Sequence, residues 1–494
     1  MREVVLGVDI GTSSSKGVLV GFDGRIEGLA TRHHDVDRPL PGHVEMDPHL
    51  WWEEFESIAR ELSANRSVRI VGVGVSGMGP CAAITDEAGD VLRPAILYGI
   101  DTRAGEQIAQ INDKFGPQSI VERCGSSLSS QAIGPKLAWL ADHESEAFSK
   151  ARMLFMPSSW LVYKLTGEYV LDHHSASQCT PMYDTLAHQW HRPYAEPLMQ
   201  SIELPRLVWP GEVVGHVGAA AATRTGIPRG VPVTGGTIDA WAEAVSVGAH
   251  APGDLMLMYG TTMFLINTLR ERATSSILWG TVGAAPGTYS LAGGMATSGA
   301  ITSWVRQLSG SPDFSALLEE AESSGPGAKG LLMLPYFAGE RTPISDPDAR
   351  GLILGLSLDH GRGDIYRATL EATAFGVRHN LEALESHGAV VNRVTAVGGG
   401  TQGDLWTQII SDVTGLEQRI PAVTVGASFG SAFLAASAIQ PVDISVWNPI
   451  VSVVQPNPDL FGPYSSLYTL YRELYESTCS LTHRLVDVSR QLLG

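Results

Sequence analysis

Cysteine is scarce in this chain. Four residues in 494, Cys81, Cys124, Cys179 and Cys479, stand far apart with no CxxC pair, which excludes a disulfide scaffold or a zinc knuckle and fits a reducing cytoplasm. Basic residues are also few: 34 Lys and Arg face 52 Asp and Glu, a net charge of −18. Such a surface repels phosphate backbones and anionic lipids, so neither nucleic acid nor a membrane is expected as a partner. A small anion held by backbone N–H groups remains compatible, because that interaction is local. No run reaches the roughly 18 apolar residues of a membrane span. The apolar start is interrupted at Asp9, too early for a signal peptide, so a cytoplasmic protein is expected. The P-loop pattern GxxxxGK[ST], the HExxH metal motif and the GxSxG nucleophile turn are all missing.

What is present reads as an ordinary globular chain, 44% hydrophobic and 17% charged, long enough for two large domains or up to about four smaller ones. Val4 to Val8 is an apolar, β-branched run, hence a buried strand. Asp9 to Lys16 follows as a polar turn, Gly17 to Val20 as a second strand and Phe22-Asp23-Gly24 as a hairpin turn. Asp47-Pro48 opens a helix through Trp51, Phe55, Ile58 and Leu62, with Asp47 as cap and Trp51-Trp52 as core. Ile70 to Val75 is a buried strand ending in Ser76-Gly77. Helices are expected over Lys136 to His143, Ser158 to Leu165, Ala240 to Val247, Leu405 to Val413 and Tyr464 to Leu492. Strands alternating with helices define an α/β protein.

Asp254 to Ile266 repeats the opening: a strand, the turn Gly260-Thr261-Thr262, and a strand. The first such turn, at Gly11-Thr12, lies roughly 250 residues earlier, which suggests two halves of related architecture. Gly11 lets the backbone approach a phosphate, Thr12 adds hydroxyl and N–H donors, and Lys16 adds a point charge. A carboxylate at the end of a buried strand, Asp9, is costly unless paired, and magnesium would pair it. The plainer alternative is a hairpin closed by an Asx turn. Asp239 follows Gly235-Gly236 and precedes an apolar helix, where it serves either as an N-cap or as a proton acceptor kept anionic by the helix N-terminus. Gly398 to Gly403 reads GxGxxG between a strand and a helix, with Glu417 near the dinucleotide spacing, so a nicotinamide-dependent oxidoreductase is a rival reading. That reading leaves the paired Gly-Thr turns unexplained, and a Gly-rich turn serves an adenine ring equally well. Gly339 to Pro343 with Asp346 to Gly351 is either a well-fixed surface loop or a site organiser. His33-His34 and His173-His174 are expected at the surface rather than on a metal.

The succession Asp9-Ile10-Gly11-Thr12, Ser76-Gly77, Lys136 to Leu140, Gly235 to Asp239, Gly260 to Thr262, Gly339 to Gly351 and Gly398-Gly399-Gly400 with Leu405-Trp406 resembles the FGGY carbohydrate kinases. The resemblance implies an α/β fold of two actin-like, ribonuclease-H-like domains, 1–245 binding sugar and 246–494 binding ATP, with a catalytic cleft between them. It implies ATP and Mg2+ as cofactors, Asp239 as catalytic base, Asp9 as the magnesium-associated carboxylate, and phosphate and adenosine contacts at Gly11, Thr12, Gly260, Thr261, Thr262, Gly398, Gly399 and Gly400, which the point charge of Lys16 joins on the reading of the residues. The reaction implied is phosphorylation of a primary hydroxyl of a small sugar, with a homodimer as the assembly. Arg93 to Leu97 with Asp101 and Arg103 is similar to the sugar-side segment of the xylulokinase-like subgroup, which points to Met78, Gly79, Asp101 and Asp239 as sugar contacts. The subgroup's usual SGQMHG reads Ser76-Gly77-Met78-Gly79-Pro80-Cys81 here, which replaces an imidazole by space and leaves D-xylulose, another ketose, a polyol or an aldonate as substrates. A non-catalytic, sugar-sensing ATP-binding protein of the same fold is the alternative of a different class.

Overall fold

The computed structural model describes residues 1–493. The chain folds into two compact units of mixed α/β structure. The first comprises Met1–Pro252, Thr268–Ser290 and Val425–Pro449; the second comprises Gly253–Asn267, Leu291–Thr424 and Ile450–Gly494.

In the first unit the apolar runs seen in the sequence become one sheet. Its strands lie in the order Val213–His216, Pro232–Thr234, Val68–Gly77, Arg2–Ile10, Ser14–Gly21 and Ile26–His33. Arg2–Ile10 runs antiparallel to Ser14–Gly21 and parallel to Val68–Gly77, and the short strand Thr237–Ile238 also runs parallel to Val68–Gly77. These registers bring Asp9, Ser76 and Thr237 abreast at the carboxyl ends of parallel strands, the usual place for chemistry in such sheets. The polar turn is shorter than expected, because alternating burial extends pairing to Ile10 and resumes it at Ser14.

One face of this sheet is covered by helix Pro48–Ser63. Asp47 caps it by accepting the His49 N–H at 2.9 Å, Pro48 occupies its first turn, and Trp51, Trp52, Phe55, Ile58 and Leu62 are buried. Helix Ala427–Ser437 also packs on this sheet, although it arrives from far down the chain. The approach is backbone to backbone: a Cβ on Gly7 would lie 2.0 Å from the Ser428 carbonyl oxygen, and one on Gly430 would lie 1.9 Å from that of Ala242. Those positions require glycine because nothing larger fits.

In the second unit the sheet contains, in order, most of Tyr289–Met295 and of Met263–Leu269, then Asp254–Tyr259, Arg393–Val397, Gln418–Pro421 and Ile450–Val454. Asp254–Tyr259 again runs antiparallel to the strand after its turn and parallel to a later strand, repeating the plan of the first sheet. Helices Phe314–Ser324, Arg362–Ser386 and Asp404–Thr414 pack in sequence, and Pro458–Leu493 packs on the last of them. Among the described residues no helix is long and apolar enough to cross a membrane.

Candidate active site

The end of the first sheet gathers carboxylates. Ser76 Oγ donates to Asp9 Oδ1 at 2.8 Å, so the strand neighbour fixes the Asp9 rotamer. Burial, reinforced by the negative charges of Asp239 and Glu243, pushes Asp9 up to about 7, against the opposing effects of Ser76 and Lys16. Lys16 stands directly across the hairpin from Asp9. Asp239 opens helix Asp239–Ser246, and its carboxylate accepts the Ala240 N–H at 2.7 Å. It is therefore the first helical residue and not the N-cap, a position held by Ile238. The helix terminus does not keep it a strong acid either: burial raises it to about 6. Glu243, one helical turn on, is likewise raised to about 7 by burial, with Lys16 opposing. Sequence reasoning missed Glu243, whose signal was its spacing of four residues from Asp239 on one helix.

The first Gly-Thr turn closes with Gly11 N–H donating to the Ser14 carbonyl at 3.1 Å. The Thr12 hydroxyl lies 3.0 Å from the Tyr98 hydroxyl, joining this turn to the segment Tyr98 to Asp101. Gly79 abuts Ile238, just before Asp239: a Cβ there would lie 2.8 Å from Ile238 Cγ1. Met78 is buried, and its N–H donates to the Ile10 carbonyl at 2.7 Å. The structure thus gathers Asp9, Gly11, Thr12, Lys16, Met78, Gly79 and Asp239 at one end of the first sheet.

Asp101 is buried further along the Tyr98 segment, with both oxygens engaged. Val44 N–H donates to Oδ2 at 2.6 Å, and the Arg103 guanidinium donates to both oxygens at 2.7–3.0 Å while also pairing with Glu45. Lys136 is buried nearby, held by the Ser130 and Ala132 carbonyls. Burial lowers it to about 8, although the negative charge of Asp101 supports its cation. Gln131 and Ser130 bind the backbone of Gly99, so the same short stretch fixes both the lysine and the Tyr98 segment.

In the second unit Gly260 N–H donates to the Thr262 carbonyl at 3.1 Å, closing the second turn. Gly398 lies against Tyr259, where a Cβ would stand 2.4 Å from its carbonyl oxygen, and its φ of +97° favours glycine. Gly400 packs against Tyr259 and Trp406, and Gly399 faces open space. The expected phosphate and adenosine residues of this half, Gly260 to Thr262 and Gly398 to Gly400, therefore adjoin. Glu417 pairs with Arg419 and Gln455 at the surface, the ordinary use of an exposed carboxylate. The Gly339 to Pro343 loop is anchored inside the unit: Glu340 accepts the Ala296 and Arg341 N–H groups at 2.7 Å each, and burial raises it to about 7.

Two histidine expectations are corrected. The His34 side chain is only 4% exposed and bonds to Glu54 and to the Gly11 carbonyl. His174 is wholly buried, bonded to the Val282 carbonyl at 2.7 Å and set against the Trp241 ring, and burial lowers it to about 3. Neither residue lies on a strand: His34 follows the strand Ile26–His33, and His174 lies in the helix His173–Ser177. Among the described residues no three His, Cys, Asp or Glu side chains converge as a metal-binding group.

Both halves match known proteins. Residues 4–246 match the N-terminal domain, and residues 255–439 the C-terminal domain, of the FGGY family of carbohydrate kinases. The chain belongs to that family. It is a carbohydrate kinase, an enzyme that uses ATP to phosphorylate a sugar. It is 29% identical to a xylulose kinase of Staphylococcus epidermidis, over 99% of this chain and all of the other. It is 30% identical to a glycerol kinase of Janthinobacterium over 89% of this chain and 91% of that one. The crystal structure of xylulose kinase from Rhodospirillum rubrum superposes with a TM-score of 0.91 at 30% identity, covering 97% of this chain and all of that one.

Proposed function

We propose that the chain phosphorylates a primary hydroxyl of a ketopentose, with D-xylulose as the first substrate to test. The observation that carries the catalytic part is the grouping of Asp9, Asp239 and Glu243 at the end of the first sheet, with Lys16 across from Asp9. Asp239 accepts the proton of the attacking hydroxyl. Its raised pKa suits a base that must gain and release a proton near neutrality. Lys16 and the Thr12 N–H steady phosphate oxygens where Gly11 lets the backbone approach, the turn of Gly260, Thr261 and Thr262 does the same, and Gly398 to Gly400 offer a flat surface to adenosine. Fixed donors of this kind lower the cost of reorganisation during transfer.

The donor set suits Mg2+. Asp9, raised by burial and by the charges of Asp239 and Glu243, is relieved by a hard divalent cation, and it has one oxygen committed to Ser76, leaving the other for the ion or its water. When bound, Mg2+ would neutralise charge on the phosphates.

On the sugar side, Met78 and Gly79 are taken to contact the substrate, with Asp101 acting through the Tyr98 segment that it anchors. The similarity to xylulose kinases over the whole chain supports the ketopentose. Gly79-Pro80 favours a second reading, a different ketose, a polyol or an aldonate, because this position contributes no side-chain hydrogen-bonding group. Four free cysteines support a reducing, cytoplasmic setting. A homodimer belongs to the same proposal, supported by exposed Leu481, Leu485, Val488 and Leu492 at four-three-four spacing on the last helix. The test is ADP release with Mg-ATP against pentuloses, tetruloses, polyols and aldonates, with sedimentation for the assembly. Stimulation by D-xylulose above all others upholds the first reading, and stimulation by another class selects the second. Bound ATP with no stimulation by any sugar would overturn both.

A further inference from the structure

The carbonyl groups of the two Gly-Thr turns are held in different ways. In the second unit, Gly260 O accepts from the Gly299 N–H at 3.0 Å, and Thr261 O accepts from the Ser298 and Ala300 N–H groups at 3.0 and 3.1 Å. These donors open helix Gly299–Leu308, whose N-terminus carries partial positive charge. In the first unit the donor to Gly11 O is a side chain, His34 Nε2, at 3.0 Å. The other ring nitrogen, Nδ1, lies 2.9 Å from Glu54 Oε2, and Ser15 Oγ donates to that same oxygen at 2.5 Å. His34 and Glu54 side chains are 4% and 9% exposed, and Ser15 is wholly buried, so this is a built interior group and not a surface pair.

The donor inventory settles the proton at one end. A carbonyl oxygen can only accept, so Nε2 carries a hydrogen. Glu54, already receiving a hydrogen from Ser15, faces Nδ1 and favours a hydrogen on that nitrogen as well. The hydrogen bond and charge of Glu54 hold His34 above the ordinary histidine value. The peptide gripped at Gly11 O is the one whose N–H belongs to Thr12. In a trans peptide that N–H points the opposite way, away from His34. It finds no hydrogen-bond partner among the described residues. A charged donor on the carbonyl polarises the whole peptide and strengthens its N–H as a donor.

We propose that His34, held by Glu54 and Ser15, is a positioning residue that aims and polarises the Gly11–Thr12 peptide for the phosphates of ATP. It supplies by a side chain what a helix N-terminus supplies to the second turn. The inference rests on the reading of this turn as a phosphate site.

The test is calorimetric binding of Mg-ATP and of adenosine to the full chain, with steady-state kinetics alongside. His34→Gln is expected to weaken ATP about tenfold, the loss of one charge-assisted hydrogen bond, and to lower kcat, while adenosine affinity and sugar KM stay within about twofold to threefold. Glu54→Gln, which removes the charge and keeps the amide in place, is expected to weaken ATP in the same selective way but less, and it replaces His34→Gln should that variant not fold. Gly11→Ala distorts the turn itself, since its Cβ would stand 2.9 Å from the Ser14 carbonyl oxygen. Lost ATP affinity in Gly11→Ala with unchanged affinity in His34→Gln and Glu54→Gln would overturn the role of His34. Unchanged ATP affinity in all three would overturn the phosphate-turn reading and the proposal with it. Equal losses for ATP and adenosine would show general damage to the fold and overturn a phosphate-directed role.

Discussion

In the first hairpin Ile10 pairs across from Ser15, and one step back Asp9 faces Lys16. In the second, Tyr259 pairs across from Met263, and the same step back holds Met258 opposite Phe264. Each hairpin closes on a Gly N–H bonded within its turn, at 3.1 Å in both. The backbone device is shared and the side chains beside it are not. One hairpin concentrates charge at a cost, since burial and its acidic neighbours raise Asp9 to about 7. The other places apolar side chains there, which cost nothing to bury. On the proposed reading the second turn only cradles phosphate and needs N–H groups and room, whereas the first, beside the reacting hydroxyl, also needs groups that carry charge and protons.

The asymmetry can be broken most severely at Asp239. Asp239→Asn is expected to lower kcat by about a thousandfold, the usual range for a lost general base, while ATP affinity measured by calorimetry changes by less than about twofold. Equal turnover would remove the base assignment. The same group gives a pH limb. A base raised to about 6 is protonated below that value, so kcat/KM for the sugar should fall as pH drops below about 6, approaching tenfold per pH unit, and level off above it. Profiles of wild type and Asp239→Asn in one buffer series check this, and the variant should lose the limb.

The second hairpin is probed at Gly299, where a Cβ would stand 2.6 Å from the Gly260 carbonyl oxygen. Gly299→Ala should displace that turn and raise KM for ATP about fivefold, with sugar KM unmoved, because one hydrogen bond to the turn is weakened. The smallest effect is on stability. The Asp9 pKa is raised on folding, so its protonated form stabilises the fold at low pH, and that contribution is lost as pH rises through about 7. Asp9→Asn keeps an acceptor for Ser76 and removes the charge. It should therefore stabilise the chain by about 1–2 kcal/mol at pH 8 in urea titration, the gain shrinking as pH falls from about 7 towards the unfolded value of 3.8, while activity is lost. No gain at pH 8 would mean that Asp9 is not held at a cost.

Much of the proposed site is legible in the sequence alone. Both Gly-Thr turns, Asp9, Asp239 and the Gly398 turn stand out because turn chemistry is local and announces itself in short spacings. The helix over Pro48–Ser63 was legible down to its cap for the same reason. What the sequence did not show has a common cause. Glu54 sits on the apolar face of that helix, three residues after Trp51 and four before Ile58, a carboxylate out of place whose meaning depended on a histidine and a serine from two strands. Asp239 read as either a cap or a proton acceptor, and only the structure put the helix start at Asp239 itself and supplied the burial that raises its pKa.

By itself the amino-acid sequence determined the alternation of strands and helices, the two hairpin turns and the order of the motifs, since hydrophobic period and turn residues act over a few positions. Only the tertiary structure decided that helix Ala427–Ser437 would lie on the first sheet, that Asp9, Ser76 and Thr237 would stand abreast, and that His34 would reach the Gly11 carbonyl. Burial, charge and proton affinity are set by segments that meet in space, and no spacing along the chain records which segments those will be.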